Sequence, residues 1–277
     1  MCSKTARRAG RACLPRTLPE GFELRSPIRT VLTILGVAVL TLVARPVHAQ
    51  LDEPMSPLQI AIACAPPPTF PGLHADLFRV IGSQDTVARK LFGNRDLLVL
   101  NAGTASGLQL GQQFFVRRQI DLKMRVGEPT TGVRTLGWVR IVALNESTAI
   151  ATVEHACGGI LEQDYLAPFA TPVVPAGADR DDPSGEPDFT ALARVLLGID
   201  DRHSAGAGDL VLIDRSEVQG VVPGTRMALY RDVQSPGLPL ASVGEAIAVS
   251  VGPTLALTRI TGARDAVLSG DYVAIRR

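Results

Sequence analysis

The 277-residue sequence predicts an all-β fold built from two tandem small β-barrel modules that arose by internal duplication. Three observations support this prediction. A stretch of sequence occurs twice, apolar and polar residues alternate within both copies as they do in strands, and a proline-rich segment separates the copies. We therefore divide the chain into a leader (1–49), an arm (50–77), a first module (78–170), a linker (171–190) and a second module (191–277).

The leader has the pattern of an export signal. Basic residues flank an uncharged apolar run, Val31 to Ala44, and Val47-His48-Ala49 supplies small or modest side chains at a cleavage site. Cleavage near Ala49 would make the protein periplasmic or secreted. The run is shorter than the about 20 residues of a membrane helix, so we expect no stable membrane span after cleavage. Retention of this segment as an anchor, with the body outside, stays open.

The charge of the body argues against nucleic acid as a partner. Residues 1–49 carry eight of the 28 Lys and Arg residues but only two of the 27 Asp and Glu residues. The remaining chain is therefore net acidic, and aromatic residues make up only 4% of the sequence. Nucleic-acid surfaces need basic patches and stacking rings, which this composition does not favour.

The arm is proline-rich from Pro54 to Pro71 and is predicted to be extended. It contains Cys64, which together with Cys157 forms the cysteine pair left after the leader is removed. An even pair in an exported protein predicts one disulfide. A thiol enzyme is the competing interpretation, because a strand would place His155 and Cys157 on the same face.

The repeat aligns without gaps in two blocks. A shift of 113 residues places Asp96–Arg118 on Asp209–Arg231, and a shift of 107 places Gly137–Ala167 on Gly244–Ala274. The six-residue difference falls in one predicted loop, Gln119–Leu136. Residues identical in the two copies include four glycines and two Asp-Tyr pairs: Gly107 and Gly220, Gly111 and Gly224, Asp164-Tyr165 and Asp271-Tyr272.

Each copy is predicted to contain a hairpin and a tight turn. Apolar strands flank Asn145-Glu146-Ser147 in the first copy, and Gly252-Pro253 takes the same place in the second. Pro223-Gly224 suits the centre of a type II turn, and Leu110-Gly111 is its counterpart. These glycines are therefore interpreted as turn residues, since no complete phosphate-binding motif surrounds them.

The linker carries several prolines and an acidic cluster at Asp179, Asp181 and Asp182. Proline resists strand pairing, and this composition buries too little apolar surface to fold alone. The acidic residues lack the glycine and terminal glutamate of a calcium loop, so a solvated charged segment is the better interpretation.

The repeated pattern of Leu-Val-Leu-Asn/Asp, two spaced glycines, an alternating strand ending in Arg, a hairpin and Asp-Tyr resembles a known class of module. It is similar to the small SH3-like β-barrels of bacterial envelope proteins. These include the C-terminal domain of the flagellar H-ring assembly protein family and barrels found beside LysM domains. The resemblance covers both copies and implies an extracytoplasmic binding or scaffold module without catalysis.

The sequence predicts no catalytic constellation, cofactor or metal site. Asp164 and Asp271 are expected to cap backbone amides at turns, although a twofold carboxylate site is conceivable. Trp138 beside Arg140 on one strand face suggests a ligand surface, with burial of the ring under a neighbouring segment as the alternative.

The expected function is a non-enzymatic module that binds or scaffolds an envelope protein or peptidoglycan. A subunit of a larger surface, secretion or flagellar-type assembly is the second hypothesis. A thiol enzyme that uses Cys157 and His155 is the third.

Overall fold

The computed structural model describes residues 54–69, 78–87, 89–122, 130–198, 202–234 and 237–277, and the predicted leader lies outside these ranges. The described residues form one α-helix and a series of β-strands. Their bounds are α1 Pro57–Cys64, β1 Val80–Ser83, β2 Leu97–Leu100, β3 Gln113–Leu122, β4 Thr130–Leu144, β5 Ala149–Ala156, β6 Tyr165–Pro168, β7 Pro187–Gly198, β8 Ser204–Ala205, β9 Leu210–Ile213, β10 Arg226–Arg231, β11 Ala241–Val251, β12 Ala256–Ala263, β13 Val267–Leu268 and β14 Tyr272–Arg276.

The prediction of an all-β fold is confirmed. The first six strands form a sheet in the order β1-β2-β5-β4-β3-β6. The second set forms a closed barrel in which β7, β9, β12, β11, β10 and β14 are successive neighbours and β14 pairs back with β7. Strands β8 and β13 pair separately beside the barrel.

Strand order is the same in the two sheets when β1 to β6 are matched with β7, β9, β10, β11, β12 and β14. Strands β2 and β9 are offset by the 113 residues of the first sequence block, and β5 and β12 by the 107 residues of the second. The irregularities coincide as well: the β3–β4 register shifts between Val116 and Arg117, and the β10–β11 register shifts between Leu229 and Tyr230.

Hydrogen bonds also join the two end strands of the first sheet. Val80 N donates to Asp164 O at 2.9 Å, and Leu166 N donates to Phe78 O at 2.8 Å. In the closed barrel Val195 N donates to Asp271 O at 2.9 Å in the equivalent place. The two sheets therefore also correspond at Arg79-Val80 and Arg194-Val195, which lie outside the two aligned sequence blocks.

The closed barrel is apolar on both faces of its strands. Inside, Val211 and Ile213 of β9 belong to the core with Met227 and Leu229 of β10. Outside, the alternate β9 residues belong to a second buried cluster together with residues of β11, of β12 and of the turn between them: Leu210, Leu212, Ile247, Val249, Leu255 and Leu257. A strand buried on both faces has a continuous apolar sequence, which explains why no polar residue interrupts β9.

Helix α1 covers this outer face. Ile62 of the helix and Ala65, the residue just after it, lie in the outer cluster of the closed barrel. Ile60 and Ala63 instead pack with Phe115 and Trp138 on the outer face of the first sheet. The helix is apolar around its circumference because it is buried between two surfaces.

The helix corrects the expectation of an arm extended throughout. Ser56 and Gln59 form a capping box, and Pro57 stands in the first turn, where its missing N–H is no loss. Three consecutive prolines after Ala65 end the helix, because a residue before proline disfavours the helical conformation. The prolines therefore delimit a helix that we had not predicted.

Two further boundaries differ from expectation. The predicted loop Gln119–Leu136 is largely a hairpin, since β3 and β4 pair from Gln113 with Arg140 to Leu122 with Thr130. Strand β7 begins at Pro187, inside the predicted linker, and pairs with Arg276 of β14. Proline is tolerated there because it is the first residue of the strand.

Replacement of Ile62 by Ala should lower the free energy of unfolding by about 2–4 kcal/mol, because it leaves a cavity between the helix and the barrel. Chemical denaturation of the variant measures this loss. Ile81→Ala is the matched control, since the side chain of Ile81 is 43% exposed whereas that of Ile62 is 8% exposed. Equal effects of the two substitutions would contradict the packing of α1 described above.

Candidate functional site

The repeated glycines are turn residues, as predicted. Gly107 and Gly220 end short 3₁₀ turns, and both have a φ of 81°. Gly111 and Gly224 have φ values of 79° and 95° at the third position of their turns. Residues other than glycine rarely adopt backbone angles in this left-handed region. The second turn is closed by Thr225 N, which donates to Val222 O at 2.9 Å.

The two Asp-Tyr aspartates cap backbone amides, which confirms the favoured interpretation. Asp164 Oδ2 accepts from Leu161 N, and Asp271 Oδ2 accepts from Leu268 N, both at 2.7 Å. Both carboxylates are buried. Tyr165 pairs with Arg117 of β3, and Tyr272 pairs with Arg194 of β7.

An arginine completes each of these aspartate sites. Arg118 donates to both carboxylate oxygens of Asp164 at 2.7 and 2.8 Å, and Arg231 does the same to Asp271 at 2.9 and 2.8 Å. The hydrogen bonds to Asp164 raise the pKa of Arg118, and those to Asp271 raise the pKa of Arg231. Because every carboxylate oxygen already has a donor, the aspartates act as structural ligands of the fold rather than as a carboxylate site.

Trp138 does not form the exposed ligand surface that we considered. Its side chain is 5% exposed, because helix α1 and Phe169 cover it. The indole stacks on the imidazole of His155, with ring centroids 4.6 Å apart. Arg140 forms an ion pair with Glu154. The cover over Trp138 comes from a distant part of the chain, and for that reason the strand sequence alone could not show it.

Cys64 and Cys157 form the predicted disulfide, with Cα atoms 5.5 Å apart. The bond joins the end of α1 to the residue just after β5. It also contradicts the thiol-enzyme hypothesis for this state, because the sulfur of Cys157 is not available as a thiolate. His155 lies beside the disulfide and against Trp138.

The candidate binding site is a groove at one end of the closed barrel, where the linker passes over the turn at Gly224. It consists of two adjoining cavities of about 590 Å³ each. The first half is apolar and is lined by Val173, Pro175, Ala176, Pro223, Gly224, Val249, Ser250 and Val251. The second half is polar and is lined by Ser184, Gly185, Gln219, Gly220, Gly224, Thr225, Arg226, Ile275, Arg276 and Arg277. The exposed side chain of Val173 stands at the apolar end.

The arginines of the polar half are held by carboxylates. Arg226 pairs with Asp182 of the linker at 3.0 Å, and Arg277 pairs with Asp188 at 3.0 Å. Arg276 donates to both oxygens of Glu245 at 2.8 and 2.6 Å, which raises its pKa. The groove therefore presents ordered arginine–carboxylate ion pairs beside an apolar surface.

The linker supplies much of this site. Hydrogen bonds from Ser184 lower the pKa of Asp182, and hydrogen bonds from Thr190 lower the pKa of Asp188. The interpretation of the acidic cluster as solvated is confirmed for Asp179 and Asp181, which are exposed, whereas Asp182 is paired with Arg226. The separation of the two residues along the chain left no local pattern from which this pairing could be predicted.

Neither the protein-family models nor the curated protein sequences that were searched match the chain. Within the part of the chain that the structure describes, no helix has the length and apolarity required to cross a membrane. The site must therefore be interpreted from its own geometry.

Asp164→Asn and Asp271→Asn should each lower the free energy of unfolding by about 2–3 kcal/mol, because each removes the buried carboxylate that holds an arginine and a backbone amide together. The loss should be the smaller at Asp271, since Arg231 keeps its exposed partner Asp265 when Asp271 is replaced. Denaturant titration checks both. The control is Asp85→Asn, in the exposed pair with Arg89, for which we expect a much smaller loss. A larger loss at Asp271 than at Asp164 would contradict this account of the contacts.

Acid should weaken the linker contacts at the groove. The folded-state pKa values of Asp182 and Asp188 are lowered from 3.8, so these carboxylates stabilise the fold above that pH and lose their contribution as the pH falls through the lowered values. The difference in stability between the wild type and Asp182→Asn/Asp188→Asn should therefore be constant from about pH 7 to 5 and should shrink below about pH 4. Urea midpoints across this range measure it, and a difference that persists unchanged at the acid end would contradict the assignment.

Proposed function

We propose that the chain carries two SH3-like barrels that arose by duplication, and that they form a rigid, non-enzymatic binding or scaffold module of the bacterial envelope. The observation that carries the proposal is the repeated construction of the two sheets. Strand order, bulge position, turn glycines and the arginine–aspartate pair all coincide between the copies. These equivalences fit duplication better than independent origin.

The hydrogen bonds between the ends of the first sheet support its assignment as a second barrel. Arg79 and Tyr165 form a bridge there, as Arg194 and Tyr272 do in the closed barrel. The core of the first sheet is filled by large apolar side chains, including Leu98, Leu100 and Ile141. Because apolar side chains fill both interiors, a partner is expected to bind on the outside.

The disulfide and the pattern of the leader both support an envelope location. A disulfide that joins α1 to the first sheet persists in an oxidising compartment, whereas cytosolic thiols are kept reduced. The leader pattern before Gln50 points to the same compartment. Periplasmic or extracellular residence is therefore part of the proposal.

The groove at Gly224 is the proposed contact surface, and a peptide segment of an envelope protein is its preferred partner. Its apolar half fits aliphatic side chains, and its ordered charge pairs fit the polar groups of an extended chain. Among the residues that the structure describes, neither half of the groove is lined by an aromatic ring, the group on which sugar rings commonly stack. This lining favours a protein partner over peptidoglycan.

Val173→Glu should reduce recovery of the bound envelope protein on the order of tenfold, because it places a charge in the apolar half of the groove. The measurement is a pull-down from envelope extract and from purified sacculi, with partners identified by mass spectrometry. The matched control is Leu110→Glu, which alters the exposed residue at the position of Pro223 in the first copy. If only the sacculi bind the protein, the partner is peptidoglycan and the preference for a protein partner is wrong. Loss of binding in both variants, or no binding by the wild type, would contradict the groove assignment.

A further inference from the structure

We propose that reduction of the Cys64–Cys157 disulfide converts this corner of the molecule into a binding site for a thiophilic metal ion of the Zn²⁺ class. The donors are the two cysteine sulfurs and one imidazole nitrogen of His155. All three atoms lie within 4.8 Å of one another. The inference concerns a site separate from the groove and does not depend on the proposed function.

The donor set suits zinc. Structural and catalytic zinc sites use thiolate and imidazole ligands, at about 2.3 Å and 2.1 Å, which places the donor atoms of a tetrahedral site about 3.5–4 Å apart. The two sulfurs are bonded to each other in the disulfide, so reduction has to let them separate to this spacing, whereas the imidazole nitrogen already lies within 4.8 Å of both. Cys64, His155 and Cys157 are all half-buried, so a metal ion can reach them and one coordination position stays open.

The disulfide itself prevents this binding, since both thiolates are consumed in the S–S bond. A dithiol reductant supplies the two electrons: its two thiols become a disulfide, and Cys64 and Cys157 each become a free thiol. Binding of Zn²⁺ then displaces the two thiol protons into solvent, and His155 binds through a neutral ring nitrogen. The charge of the bound site is balanced by the two thiolates.

The positions of the ligands do not depend on the disulfide alone. Helix α1 is held by apolar contacts on both sides, and Thr135 Oγ1 donates to Ala65 O at 3.0 Å just beyond Cys64. Gln59 Nε2 donates to Pro172 O at 3.1 Å from the other end of the helix. These contacts keep Cys64 beside Cys157 after the covalent bond is broken.

His155 is held by the indole of Trp138, with nearly parallel rings at an angle of 16°. Trp138 is the only tryptophan of the chain. A metal ion on the imidazole therefore changes the environment of the single indole fluorophore, which makes binding directly observable.

The test uses residues 50–277, reduced without oxygen by a phosphine that has no thiol. We expect the reduced protein to bind one equivalent of Zn²⁺ with a change in Trp138 fluorescence and release of two protons, and to give thiolate charge-transfer absorption with Co²⁺. The oxidised protein should show none of these changes. His155→Gln should weaken Zn²⁺ binding by at least about tenfold, whereas His203→Gln, outside the site, should leave it unchanged.

Several results would overturn the proposal. They are absence of binding to the reduced protein, equal binding to the oxidised protein, and equal affinity of the two histidine variants. Circular dichroism shows whether the protein keeps its fold on reduction. If the reduced protein unfolds, added Zn²⁺ must restore its β-strand signal in the wild type more effectively than in His155→Gln, and failure to do so counts against the site.

Discussion

The apolar outer face of the closed barrel has to be covered, and the organisation of the rest of the chain follows from how it is covered. Helix α1 lies on that face through Ile62 and contacts the first sheet through Ala63 on its other side. The linker adds Val174 and Ala178 to the same apolar cluster. Residues 54–277 consequently form one compact unit, although two modules joined by a spacer would be expected from composition.

A second constraint is shared by both sheets. In each sheet a buried aspartate accepts hydrogen bonds from an arginine of a neighbouring strand and from a backbone amide of its own turn. The carboxylate therefore links the turn before the last strand to the body of the sheet. Such a network is stable only when every partner is present. This requirement explains why Arg118 with Asp164, and Arg231 with Asp271, occur at equivalent places in the two sheets.

Much of this fold could be predicted from the sequence, and the failures share one cause. The hairpins, the turns at Gly111 and Gly224 and the disulfide follow from local pattern and composition. The helix at Pro57–Cys64, the cover over Trp138 and the pairing of Asp182 with Arg226 depend on partners far away in the chain. The arginine–aspartate pairs left a signal in the sequence, because Arg118 aligns with Arg231 and Asp164 aligns with Asp271. Two pairs of identical residues do not, however, show that the arginine and the aspartate are in contact.

The lengthened β3–β4 hairpin makes the two halves of the molecule unequal. Ile120 of this hairpin reaches the outer face of the closed barrel. The equivalent strands of the second half are shorter, since β10 and β11 have six and eleven residues whereas β3 and β4 have ten and fifteen. The apolar contact through Ile120 is therefore one-sided, because the first half supplies the projecting hairpin and the second half supplies the surface on which it lies.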